Sequence, residues 1–159
     1  MARASWPSRV FFARRGSKRV CVNADQLEAE FVAAGFEVVH PEDHPLAEQV
    51  QLVRNARAVA GYAGSAMFTT AFAGAPKHVI VVGPESYPAH NEYMLASLVG
   101  HDLDLVLCRP EVPREDGWTM ESFHSDYVYD PQREGVFLRS AIADEHDGAG
   151  MENGRADRI

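Results

Sequence analysis

The sequence is poor in cysteine, in positive charge and in long apolar runs, and each shortage excludes a class of protein. Its two cysteines, Cys21 and Cys108, both sit inside apolar stretches, where a free thiol behaves as a small hydrophobe, so a reduced, cytoplasmic setting is expected. Fifteen Lys and Arg stand against 23 Asp and Glu, a formal net charge of −8. A chain of that balance lacks the electropositive surface that binding to nucleic acid demands. No run approaches the roughly 18 to 20 apolar residues of a membrane span, and no apolar signal core follows the first arginines. Internal repeats are absent. So is a convincing metal pattern: Asp102 and Asp104 lie at the entry to a strand, and Pro41 and Pro45 forbid the helix that would pair His40 with His44. No metal and no cofactor are expected.

What remains is enough for one domain, since 159 residues with 46% hydrophobic composition can build a real core. Short β-rich runs alternate with segments of helical spacing. Strands are expected at 9–13, 36–40, 57–62, 78–82 and 103–107, with a minor extension at 19–22. Between them, Leu27, Phe31 and Val32, then Leu46, Val50 and Val53, then 65–72, then 93–99 read as helices. This alternation predicts a Rossmann-like, doubly wound parallel sheet of about five strands, covered on both faces. A closing helix is expected over 134–142. Residues 118–130 are aromatic without periodicity and are expected to pack along the surface, with Trp118 and Tyr127 as packing residues. The domain is expected to occupy 1–143, and the polar, Gly-rich residues 144–159 to form a disordered tail.

The most informative stretch is Gly61 to Phe72, where a strand end, a turn of small residues and a helix start meet. In a doubly wound sheet, ligands bind outside the carboxyl ends of the strands, and the free N–H groups of a helix start favour an anion. Ala63, Gly64, Ser65 and Ala66 would let a diphosphate approach the backbone closely, with the Ser65 hydroxyl as an extra donor. The alternative is a packing turn that simply needs small residues. This is not the dinucleotide fingerprint, which should follow the first strand; there the chain reads Arg14, Arg15, Gly16, Ser17, and Arg14 is a candidate phosphate clamp or a surface arginine. A nicotinamide or flavin dehydrogenase is therefore not expected. Nor is Ser65 set in a Gly-x-Ser-x-Gly elbow with triad partners, which speaks against a serine hydrolase. Other rim positions are His40 and Asp43 after the second strand, and Glu85 and Tyr87 after the fourth.

Arg14, Arg19 and Asn23, the run from Gly35 to Val39 followed by Pro41 and Glu42, Glu48 and Gln49, and Gly61 through Phe72 with Gly74 occur in an order and spacing that resembles glycosyltransferase family 61. The resemblance spans about 10–106 and is most specific over 49–72. It implies a C-terminal, GT-B-type half that binds a nucleotide diphosphate-sugar and transfers the sugar to a hydroxyl acceptor, as in polysaccharide biosynthesis. It also implies a partner, either an N-terminal acceptor-binding domain or chain, or another copy in a homo-oligomer. Arg14 and the turn from Gly64 to Ala66 would hold the diphosphate, and Gln49 would be an orienting residue or a capped helix interior. Three positions depart from the family pattern: Ala63 stands where a His is common, Thr69 where an Asn is common, and Ala24 where a Glu often follows. These departures bear on catalysis, no residue is assigned as catalytic base, and the alternative is a non-catalytic, degenerate domain used for partner binding or oligomerisation.

Overall fold

A computed structural model describes residues 5–114 and 117–148. The elements run β1 (Arg9–Phe12), α1 (Ala24–Ala33), β2 (Glu37–Val39), a short 3₁₀ helix η1 (Pro41–Asp43), α2 (Leu46–Asn55), β3 (Ala58–Tyr62), a longer 3₁₀ helix η2 (Ser65–Phe72), β4 (His78–Pro84), α3 (His90–Val99), β5 (Asp102–Pro110), α4 (Met120–Phe123), β6 (Tyr127–Val128) and α5 (Gly135–Gly148). The strands form one sheet in the order β2-β1-β3-β4-β5-β6. The first five are parallel, and β6 pairs antiparallel with β5 through Arg109 with Val128 and Pro110 with Tyr127.

Alternation along β1 splits the apolar residues between two cores. Phe11 and Ala13 face one side, where Phe11 meets Phe31 of α1 at 4.5 Å and Tyr62 edge-on at 5.0 Å, and where Leu138 and Ala141 of α5 close the layer. Val10 and Phe12 face the other, with Leu52 and Val53 of α2 and Met67 of η2. Helices thus cover both faces, and each fully buried Leu or Phe contributes about 1.5–3 kcal/mol. β4 is buried at six of its seven residues, as a central parallel strand between two covered faces must be.

Two expectations are corrected. The sheet has six strands rather than about five, because β6 is only two residues long, shorter than any period a sequence can display. Residues 118–130 do not all lie on the surface: Tyr127 and Tyr129 are among the largest fully buried side chains, whereas Trp118 is 53% exposed. Of the extension at 19–22 only an isolated bridge from Cys21 to Tyr127 forms. Helix α5 runs past residue 143 to Gly148, and the remainder of the expected tail, 149–159, lies outside the described residues.

One connection matters for function. After β1 the chain does not turn straight into α1 but crosses the carboxyl edge of the sheet to reach β6. Arg19 N–H donates to His124 O at 3.0 Å, Val20 N–H to Asp126 Oδ1 at 2.7 Å, Tyr127 N–H to Val20 O at 3.0 Å and Val22 N–H to Tyr127 O at 2.8 Å. The loop is tied at its far end and carries its arginines over the ends of β3 and β4.

Candidate functional site

At the end of β3, Ala63 is held by a hydrogen bond from its N–H to Val82 O at 2.7 Å, and its methyl fits against Gly83 so tightly that a side-chain carbon there would come within 2.7 Å. Gly64 follows with φ of +145°, a conformation that favours glycine. Its N–H donates to Glu92 Oε1 at 2.9 Å, and the Glu92 carboxylate, almost fully buried on α3, also accepts from Tyr87 Oη at 3.1 and 3.2 Å. The next amides, of Ser65 and Ala66, open η2, where backbone N–H groups have no acceptor within the helix. Ser65 is exposed.

Two guanidinium groups stand over this turn. A carbon placed on Gly64 would lie 3.4 Å from both Arg14 Nη1 and Arg19 Nη2. Arg14 donates to Arg19 O at 2.6 Å, to Lys18 O, and to Ala63 O at 3.4 Å. A guanidinium has five donors, so these carbonyls fix its plane without exhausting it. Burial first, and then the neighbouring charge of Arg19, hold the Arg14 guanidinium below its ordinary value. Arg19 itself has φ of +53°, and its guanidinium is stacked 4.6 Å from the Tyr87 ring centroid and 5.1 Å from that of Phe123. A left-handed conformation at a non-glycine residue costs on the order of 1–3 kcal/mol and persists only where surroundings over-determine it, as the tie to β6 does here. Its Nε is buried without a hydrogen-bond partner. Among the described residues neither arginine makes an ion pair.

Beside the guanidiniums opens a cleft of about 290 Å³, lined by Arg14, Pro41, Glu42, Gln49, Tyr62, Gly64, Ser65 and Ala66. Gln49 Nε2 donates to Pro41 O and His44 O, both at 2.9 Å, and so fixes the loop that forms the opposite wall. Glu42 accepts from Arg15 N–H at 2.7 Å and Asp43 pairs with the Arg15 side chain at 2.7 Å, which joins the loops after β1 and β2. The bond to Arg15 holds the Asp43 carboxyl below the usual range. The Tyr62 hydroxyl donates to Glu28 Oε1 at 2.8 Å, and burial followed by that bond pushes its ionisation up.

The residues singled out by sequence thus fall in two places. Arg14, Gln49, Gly64, Ser65 and Ala66 line one cleft, with Ala63 buried beneath it. Glu85 lies elsewhere, its carboxylate on Arg133 near a second cavity lined by Arg109, Val128, Asp130, Arg133 and Glu134. Arg19 and Glu92 were not among the expected site residues. Arg19 entered only through the family resemblance, and nothing in the sequence couples Glu92 to a turn 28 residues before it. His44 pairs with Glu48 and Asp104 with His78, and among the described residues no three His, Cys, Asp or Glu side chains are grouped to hold a metal ion. No helix among the described residues is long and apolar enough to cross a membrane.

Fold and cleft together define a mixed α/β domain whose mostly parallel sheet carries a cationic turn at its carboxyl edge. The pattern of the family described as Glycosyltransferase 61 matches residues 2–82, about half of the chain, which includes β1 to β3, the turn and most of β4. The chain belongs to glycosyltransferase family 61, and its function is of glycosyltransferase type, which implies a sugar donor and an acceptor. No curated protein matches it.

Proposed function

We propose that the cleft binds the diphosphate of a nucleotide-sugar donor, as the Rossmann-like, GT-B-type half of a glycosyltransferase that works with an acceptor-binding domain, chain or second copy. The observation that carries this reading is the pair of guanidiniums over Gly64, one of them with a buried, unpartnered donor. Two like charges held together in a partly buried place are stabilised by an anion between them. The Ser65 and Ala66 amides and the Ser65 hydroxyl add donors on the other side of the same space. As the sugar leaves, negative charge grows on the diphosphate, and donors already fixed by Lys18, Arg19 and Ala63 carbonyls meet it without reorganising. Gln49 acts by holding the wall formed by Pro41 and Glu42.

Calorimetric titration with UDP, GDP and CDP tests this. One nucleotide should bind, and Arg14→Ala and Ser65→Tyr should each weaken it, the former by about 10- to 100-fold, the worth of charge-assisted hydrogen bonds. No binding at millimolar nucleotide to the folded chain would overturn the reading.

One observation favours a non-catalytic module instead. At Ala63, where the family commonly has a His, only a methyl stands, packed on Gly83. The turn therefore has no imidazole to move a proton.

A further inference from the structure

Against Arg19 lies a run of aromatic rings that the diphosphate reading leaves unused. Tyr87 and Phe123 are 5.3 Å apart and both face the Arg19 guanidinium; Phe123 is then 5.7 Å from Trp118 and 5.1 Å from the His124 ring. The inner end of the run touches the site, because the Tyr87 hydroxyl shares Glu92 with the Gly64 amide. The outer end is open: Trp118 is 53% exposed, on a segment beyond the part of the chain matched to the family. A short helix, α4, sets this geometry, capped by Thr119 Oγ1, which accepts from Ser122 N–H at 3.1 Å. Trp118 precedes that cap directly, and Phe123 ends the helix.

We propose that Trp118, backed by Phe123, is the platform on which the nucleobase of the donor stacks. The inference rests on the diphosphate reading above and adds to it the direction in which the ligand lies. The Arg19 guanidinium is 5.1 Å from the Phe123 ring and Trp118 is 5.7 Å from that same ring, so a single residue links the cation to the indole. The base is the planar part of such a donor, and the half-exposed indole of Trp118, tilted 53° against Phe123, offers it an aromatic face beside a ring that already holds a guanidinium. The sugar carries hydroxyls that need acceptors, and the cleft lining supplies them in the Glu42 carboxylate and the Gln49 side-chain carbonyl rather than in an aromatic face. Stacking tolerates any base, so Trp118 supplies affinity while discrimination among bases is left to other groups.

The test separates base from phosphate. UDP, GDP and CDP are titrated by calorimetry beside inorganic pyrophosphate, with the unsubstituted chain and with Trp118→Leu. Half of the side chain is exposed, so the substitution should cost little in folding, which urea unfolding of the variant checks. Loss of one stacked base should weaken the bound nucleotide about tenfold and leave pyrophosphate within about twofold. The chain has only one other tryptophan, Trp6, so in a Trp6→Phe variant the emission reports Trp118 alone; the nucleotide should quench it and pyrophosphate should not. Unchanged nucleotide affinity in Trp118→Leu, or equal losses for nucleotide and pyrophosphate, would overturn the platform while the diphosphate reading stands. Failure of both ligands to bind the unsubstituted chain would instead overturn the diphosphate reading.

Discussion

The loops after β1 and β3 and the residues around Glu85 and Arg133 handle charge in opposite ways. On the first side Arg14 and Arg19 crowd the same glycine, and among the described residues they hydrogen-bond carbonyls and face rings without an ion pair. On the second, Arg133 lies between Glu85 and Glu134, and its charge is spent within the protein. Both sides have a cavity of similar size, about 290 and 300 Å³. Size therefore does not distinguish the two hollows; the ion pairing of their arginines does. The same contrast holds for two carboxylates, Glu92 buried under the turn and Glu85 out at the rim.

The largest effect expected from that contrast is on stability. Glu92→Ala leaves the Gly64 amide and the Tyr87 hydroxyl without their acceptor inside the protein, a loss of about 2–3 kcal/mol. Glu85→Ala removes one side of an exposed pair and should cost under about 0.5 kcal/mol. Urea unfolding of both variants measures the difference, and equal losses would break the comparison. Next comes binding: Arg19→Ala should weaken UDP, or whichever of GDP and CDP binds, by about tenfold or more, and Arg133→Ala should leave it unchanged. Arg19→Lys should restore only part, since an ammonium cannot stack as a planar guanidinium does. If Arg133→Ala weakens binding as much, the second side belongs to the site.

A separate effect, a pH dependence, reports on the core beneath the loop. Burial pushes the Cys21 thiol from its ordinary value of 9.0 up to about 11. A group raised on folding contributes its full stability below the unfolded value and loses it as pH rises through the folded one. Stability should therefore fall between about pH 9 and pH 11, and Cys21→Ala should fall less over that window in the same urea measurement. Parallel curves for the two proteins would show that Cys21 is not held away from water.

The parts legible in the sequence are those whose signal is local. Five parallel strands follow from apolar runs such as 78–82, and the turn from Ala63 to Ala66 follows from small residues placed at a strand end. Arg14 was legible because it stands directly after β1. The rest depends on chain segments meeting far from one another in sequence. Arg19 becomes a site residue through bonds to His124, and the neighbouring Val20 through Asp126, more than a hundred residues on. Glu92 reads as an ordinary first-turn acid of a helix until α3 packs beside η2. Glu85 shows the reverse error of range: the rim of a six-stranded sheet is wide, and a residue placed on it by topology need not reach the same cleft.

The tie between the loop after β1 and β6 also sets when this site can exist. During synthesis β1, the arginines and the glycine turn emerge before β6, and although Arg15 can already bond Glu42 and Asp43, the stretch from Arg19 to Val22 has no partner strand until residues 124–127 are made. Closing so long a loop is entropically costly and comes after local contacts have formed. The lining from Arg14 to Ala66 can thus assemble first, and Arg19 takes its place over the turn only when β6 docks.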